Sequence, residues 1–276
     1  MTFFHSRLQR RGGKAALAAG LATVTVLAAG CGSSSPGSSA AVKNPPGSKL
    51  SGTVIVFAAA SLNNAFDKLG SQFEKLHPGT SLKFNYAGSS GLATQLTQGA
   101  KADLFASANT ANMKIVQDAS LVSGTPKDFA QNKLEIVVGK GNPLHITSVS
   151  DLSKSNIKVA VCQKDVPCGA YSADVFKKAG VTVKPVSEET SVSGVVTKVS
   201  LGEADAGIVY VTDVKAAGDK VTGVPIPPNQ NVTAEYPIAE LKDAPNSATA
   251  TAFEDYVLSP AGEKVLESYG FLPAAG

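Results

Sequence analysis

The sequence predicts an α/β protein on mainly parallel sheets, from three observations. The body is long and apolar enough for a large core, strand patterns alternate with amphipathic helix patterns, and the strand-to-helix turns are small and uncharged. The chain has 276 residues, 43% hydrophobic and 6% aromatic, without Trp. Residues 1–30 read as an export signal: Arg7, Arg10, Arg11 and Lys14 with no acid, an apolar run from Ala15 to Ala29, and a small-residue exit before Cys31. That run, about 15 residues, falls short of the roughly 20 that span a bilayer. Cleavage before Cys31 leaves 246 residues with 21 Lys and Arg against 22 Asp and Glu, so the net charge moves from +3 to −1. Basicity belongs to the signal, which argues against a nucleic-acid binder. The lack of Trp argues against sites that rest on aromatic faces.

Val54 to Ala58 is a continuous apolar, β-branched run, the pattern of a strand covered on both faces. Leu62, Ala65, Phe66, Leu69, Phe73 and Leu76 recur at helical spacing until His77-Pro78. The cycle repeats with a strand at 81–86, a helix at 92–98, a strand at 104–106 and a helix at 111–119. A second series predicts strands at 134–138, 158–161, 183–186 and 207–211, with helices at 169–179 and 194–201. Two tail helices, at 247–258 and 261–269, have no strand of their own to cover.

The three cysteines divide into Cys31 at the cleavage point and Cys162 with Cys168 in the body. Small residues before Cys31 resemble a bacterial lipoprotein box, so Cys31 is the expected acylation site; an ordinary secretion signal is the alternative. Two or three acyl tails give stable anchoring where one is marginal. Residues 31–49, rich in Ser, Gly and Pro, form an expected flexible tether. Export favours a disulfide between Cys162 and Cys168 over a metal site or a reactive thiol.

In open parallel sheets ligands collect beyond the carboxyl ends of the strands, where helix N-termini point. The turns there are Ala59-Ala60-Ser61, Ala87-Gly88-Ser89-Ser90, Val166-Pro167-Cys168-Gly169 and Thr190-Ser191-Val192-Ser193. A helix start offers unpaired N–H groups and about half a positive charge. A Ser before a helix is by itself usually an N-cap, but several donor-rich turns in one chain point to an anion. No Lys or Arg lies within these turns, so dipoles and hydrogen bonds must hold the anion. Desolvating one charge costs on the order of 20 kcal/mol in the idealised limit, against roughly 1.5 to 3 kcal/mol per charge-assisted bond. Several donors must therefore converge in an enclosed site, as two closing lobes provide.

Five segments, Val56 to Leu62, Tyr86 to Ala93, Gly99 to Ala108, Gly207 to Tyr210 and Ser268 to Phe271, resemble the molybdate-binding proteins of bacterial ABC importers. The resemblance covers about residues 52–272. It implies a two-lobed periplasmic-binding-protein (type II) fold, with lobe 1 from 50–132 and 237–276 and lobe 2 from 133–236. The crossings then fall near Asn132 and Tyr236-Pro237, and the tail helices return to lobe 1. It implies capture of molybdate or tungstate and delivery to a membrane permease driven by a cytoplasmic ATPase, by a monomer without cofactor. The implied oxyanion-binding residues are Ser61 and Ser89 through hydroxyl and N–H, Cys168 and Val192 through N–H, and Tyr210 through its phenol. Molybdenum is bound only as its oxyanion. The family commonly has Ala where Cys168 stands, which brings a disulfide to the cleft wall.

A hydrolase is disfavoured: Ser61 and Ser89 sit outside Gly-x-Ser-x-Gly, and His77 and His145 are poorly placed as bases. Iron would want a cluster of Tyr, His or carboxylates. Sulfate is the serious competitor for the same donors. Near neutral pH phosphate carries a proton, which needs an acceptor in a shell of donors. Asp103 reads as a cap or packing residue.

Overall fold

The computed structural model describes residues 49–275; the expected signal, Cys31 and nearly all of the expected tether lie outside the described residues. Among the described residues no helix is long and apolar enough to cross a membrane. The first part of the chain runs β1 (Gly52–Ala59), a 3-10 turn (Ala60–Leu62), α1 (Asn63–Leu76), β2 (Thr80–Ala87), α2 (Ser89–Thr97), β3 (Leu104–Ala106) and α3 (Thr110–Asp118). Next come β4 (Lys127–Gly139), β5 (Val159–Cys162), α4 (Pro167–Ala179), β6 (Ser187–Glu189), α5 (Val192–Ser200), β7 (Ala206–Tyr210), α6 (Val211–Ala217) and β8 (Val221–Pro225). The chain closes with β9 (Thr233–Glu240), α7 (Ser247–Val257) and α8 (Pro260–Ser268).

The strands follow the order β2-β1-β3-β9-β4-β7-β5-β6, with β8 beside β4. β1 pairs in parallel with β2 and β3, and β5 in parallel with β6 and β7, as alternating strands and helices require. The pairings of β4 and β9 are all antiparallel, which makes the sheet mixed. β4 links the two parallel groups. Its residues Lys127 to Lys133 pair with β9, and Leu134 to Val138 pair with β7.

Side chains alternate across a strand, and this sorts the core. Val54, Val56 and Ala58 of β1 and Leu104 and Ala106 of β3 join the main cluster, while Phe57 and Phe105 join a smaller one under α2 and α3 with Leu92, Leu96, Met113 and Val116. The tail helices do have a sheet to cover. Phe253 of α7 meets Phe73 and Phe66 of α1 edge-on at ring separations of 5.3 and 6.2 Å. Burying each such ring contributes about 1.5 to 3 kcal/mol. Beyond α8, Gln131 and Leu272 exchange both backbone hydrogen bonds at 2.8 Å, tying the tail to β4.

Four strands depart from expectation: β4 starts at Lys127 instead of 134, β8 and β9 lie where no strand was predicted, and β6 is displaced. The segment 183–186 is irregular, and pairing with β5 starts at Ser187 instead. Pro185 has no N–H to give to a ladder, and the first bond runs from Val186 N–H to the Val159 carbonyl at 2.8 Å. β9 sits centrally despite Pro237. That residue opposes Asp128, beside a register shift between Asp128 and Ala130, where a missing donor is tolerated.

Candidate functional site

Ser61, Ser89, Cys168, Val192 and Tyr210 all line one small cavity. Its walls are the carboxyl ends of β1, β2 and β7 and the turns after β3, β5 and β6. Its open space is about that of one water molecule, too small for an extended solute. The lining contains no Lys, Arg, His or carboxylate.

Three α-helices begin at this cavity: α2 at Ser89, α4 at Pro167 and α5 at Val192. Their first N–H groups have no carbonyl one turn back. Those of Ser89, Cys168 and Val192 also make no turn or capping bond among the described residues. Pro167 stands at the first helical position of α4, where its missing donor costs nothing. Cys168 is bonded to Cys162 at the end of β5, so the disulfide closes the turn that carries one of these donors.

Each hydroxyl has a defined setting. Ser89 is 1% exposed, and its Oγ accepts the Ala108 N–H at 3.0 Å, which leaves its own proton for the cavity. Ser61, half-buried in the 3-10 turn, has its Oγ 2.9 Å from Tyr236 Oη. Tyr210 ends β7 and is 1% exposed. Its hydroxyl is the one buried side-chain polar atom without a hydrogen-bond partner among the described residues. An orphaned donor of this kind costs about 1 to 3 kcal/mol, so it calls for a partner that the protein does not supply. Burial first, then the neighbouring Tyr236, pushes the Tyr210 phenol well above its ordinary range, which keeps it a donor.

The two flanking walls meet at Gly88, where a Cβ would stand 2.3 Å from the Thr190 carbonyl oxygen. Only glycine permits that approach. A larger cavity of about 240 Å³ adjoins through Ala60 and Ser61. It is lined by Asp213, whose carboxyl burial pushes up to about 7 against the opposing Tyr210 N–H bond at 2.9 Å. An acid and two Asn side chains give it acceptors, and it suits an anion less well.

Sequence reasoning missed Tyr236 and Asn132. Asn132 Nδ2 lies 2.8 Å from Thr212 Oγ1 and 3.5 Å from Tyr236 Oη, and both residues are fully buried. Partners about a hundred residues apart leave no local signal; a buried Asn and Tyr inside strands was the only hint. Asp103, read as a packing residue, accepts the Ile55 N–H at 2.7 Å and the Asn246 N–H at 3.2 Å. Among the described residues no group of three or more His, Cys, Asp or Glu is placed to hold a metal ion.

Comparison with known proteins fits this geometry. The molybdate-binding protein ModA of Mycobacterium tuberculosis is 45% identical over 259 residues, 92% of this chain and 97% of the relative. ModA of Escherichia coli is 34% identical over 233 residues, 80% of this chain and 89% of the relative. Among solved structures, the periplasmic molybdate-binding protein of Azotobacter vinelandii superposes with a TM-score of 0.72 at 18% identity, covering 80% of this chain and all of that one (100%). The sulfate-binding protein SubI of M. tuberculosis does so at 0.68 and 19%, covering 80% and 86%. The last two speak for the fold alone, which molybdate and sulfate binders share. These names describe binding proteins and not enzymes, in line with the sequence reading. A family model for bacterial extracellular solute-binding proteins matches residues 54–272, and the chain belongs to that family.

Proposed function

We propose that this solute-binding protein captures molybdate or tungstate in the small cavity and delivers it to an ABC permease powered by a cytoplasmic ATPase. Ser61 and Ser89 donate through hydroxyl and backbone N–H, Tyr210 through its hydroxyl, and Cys168 and Val192 through backbone N–H. The observation that carries this reading is the buried Tyr210 hydroxyl, without a protein partner, in a cavity where three helices begin. The side-chain hydroxyls there can all donate, and no cation or carboxylate lines it. A fully ionised tetrahedral dianion matches such a shell. Phosphate brings a proton that finds no acceptor. Sulfate is smaller than molybdate and reaches fewer donors at once.

The same reading divides the body into lobe 1 (50–132 with 237–276) and lobe 2 (133–236), closing on the solute around β4 and β9. It has the protein work as a monomer without cofactor, held to the outer face of the membrane by acyl chains on Cys31. The relatives' names and the orientation of the donors support the solute; the fold they share supports the closure.

Calorimetric titration with molybdate, tungstate, sulfate and phosphate tests the assignment. One-to-one binding of the first two, well above sulfate and with no response to phosphate, is expected. Sulfate equal to molybdate would move the assignment to sulfate, the anion named for the SubI likeness. No response to any oxyanion would remove it.

A further inference from the structure

Tyr236 does not line the cavity, yet its Oη is 2.9 Å from Ser61 Oγ. It is fully buried in β9, edge-on to Tyr210 at 6.0 Å and to Phe271 at 5.4 Å. In the Ser61 bond either hydroxyl can donate, and the surroundings of Tyr236 favour one direction. Lys133 N–H donates to Asn132 Oδ1 at 2.9 Å, which fixes the amide so that Nδ2 faces Thr212 Oγ1 at 2.8 Å and Tyr236 Oη at 3.5 Å. An amide NH₂ only donates. Tyr236 Oη receives from Asn132, and among the described residues Ser61 Oγ is the one acceptor within hydrogen-bond distance of its own proton, so the buried phenol finds a partner only by donating to Ser61. The acceptor side of Ser61 is then filled from within the protein and its proton turns to the cavity, as Ala108 N–H arranges for Ser89.

We propose that Tyr236, held by Asn132, is a positioning residue that orders the Ser61 proton toward the cavity, making the site donor-only and selective against oxyanions that carry a proton. The proposal rests on the oxyanion reading of that cavity. Without the Tyr236 hydroxyl, Ser61 can rotate and accept, and a protonated oxyanion gains the acceptor it lacks. Loss of packing would weaken all solutes alike; loss of proton order weakens one and strengthens the other.

The test titrates wild type, Tyr236→Phe and Ser61→Ala with molybdate and with inorganic phosphate at about pH 8, where both are dianions and only phosphate holds a proton. Tyr236→Phe is expected to lower the molybdate-to-phosphate affinity ratio by about tenfold or more, part of it a gain in phosphate binding. Ser61→Ala loses molybdate affinity with no phosphate gain. Should Tyr236→Phe not fold, Asn132→Asp serves: its carboxylate draws the Tyr236 proton away from Ser61, and the ratio falls again. Wild type that binds molybdate, with the ratio unchanged in the variants, overturns the proposal and leaves the oxyanion site standing. Wild type that binds neither solute overturns the site, and the proposal with it.

Discussion

The cavity has two walls that supply hydrogen bonds by different means. The wall on β1 and β2 adds to its backbone N–H groups the side-chain hydroxyls of Ser61 and Ser89, each with its oxygen already engaged by the protein. The wall on β5, β6 and β7 offers backbone N–H groups at Cys168 and Val192, and one phenol. A backbone donor leaves its side chain free for other work. Cys168 uses that freedom for a disulfide, and Val192, 3% exposed, for core packing. An anion site can thus contain residues whose side chains have no affinity for anions.

The largest effect expected of this contrast concerns stability. Asp213 backs the second wall, and burial raises its carboxyl from 3.8 to about 7. The folded state holds a proton that the unfolded chain releases, so the contribution of Asp213 to stability is greatest below about pH 4 and falls until about pH 7, by up to roughly 4 kcal/mol. Asp213→Asn keeps an acceptor for the Tyr210 N–H and removes the titration. Melting curves across this range should show the variant's advantage growing with pH and levelling above about 7; parallel curves would contradict the assignment.

Two glycines sharpen the contrast between walls. At Gly88 an added Cβ strikes the Thr190 carbonyl at 2.3 Å, across the cavity, and separating the walls relieves it. At Gly169 it strikes the Gln163 carbonyl at 1.9 Å, inside one turn, where nothing can part. Gly88→Ala should weaken the solute by about 3 kcal/mol, more than a hundredfold, with the free protein's melting point nearly unchanged. Gly169→Ala should lower that melting point. Titration and thermal unfolding of both variants decide it, and the same outcome at both positions would break the distinction.

Smaller effects separate side-chain from backbone donors. Ser61→Ala and Ser89→Ala should each cost about 1 to 3 kcal/mol of molybdate affinity. Val192→Ala should stay within about threefold of wild type, since its donor is untouched. Tyr210→Phe should weaken binding by about 1 to 2 kcal/mol yet leave the free protein no less stable, because the hydroxyl has no partner to lose. A drop in the free protein's stability would mean that the hydroxyl is satisfied without solute.

Legibility in the sequence tracked locality. β1, β2 and β3, with apolar runs and adjacent helices, were readable to within two residues at either end, and so was α4 with its Pro start and Gly180 finish in the left-handed conformation. The first half of β4 and all of β9 were not. Their polar alternation and Pro237 weaken any strand signal, and what holds them is pairing between residues more than a hundred apart. For the site, turn chemistry exposed Ser61 and Ser89 and the two turns that hold Cys168 and Val192, but the roles of those two, whose backbone donors have no residue signature, and of Tyr210 came from resemblance. Tyr236 and Asn132 stayed hidden because their role is an orientation given to another residue's proton.

A crystal structure with molybdate bound tests the central claim most directly. Contacts to the four oxygens are expected only from the Ser61, Ser89 and Tyr210 hydroxyls and from backbone N–H groups that include Cys168 and Val192. A Lys or Arg side chain in contact with the anion, or an anion bound away from these turns, would contradict it.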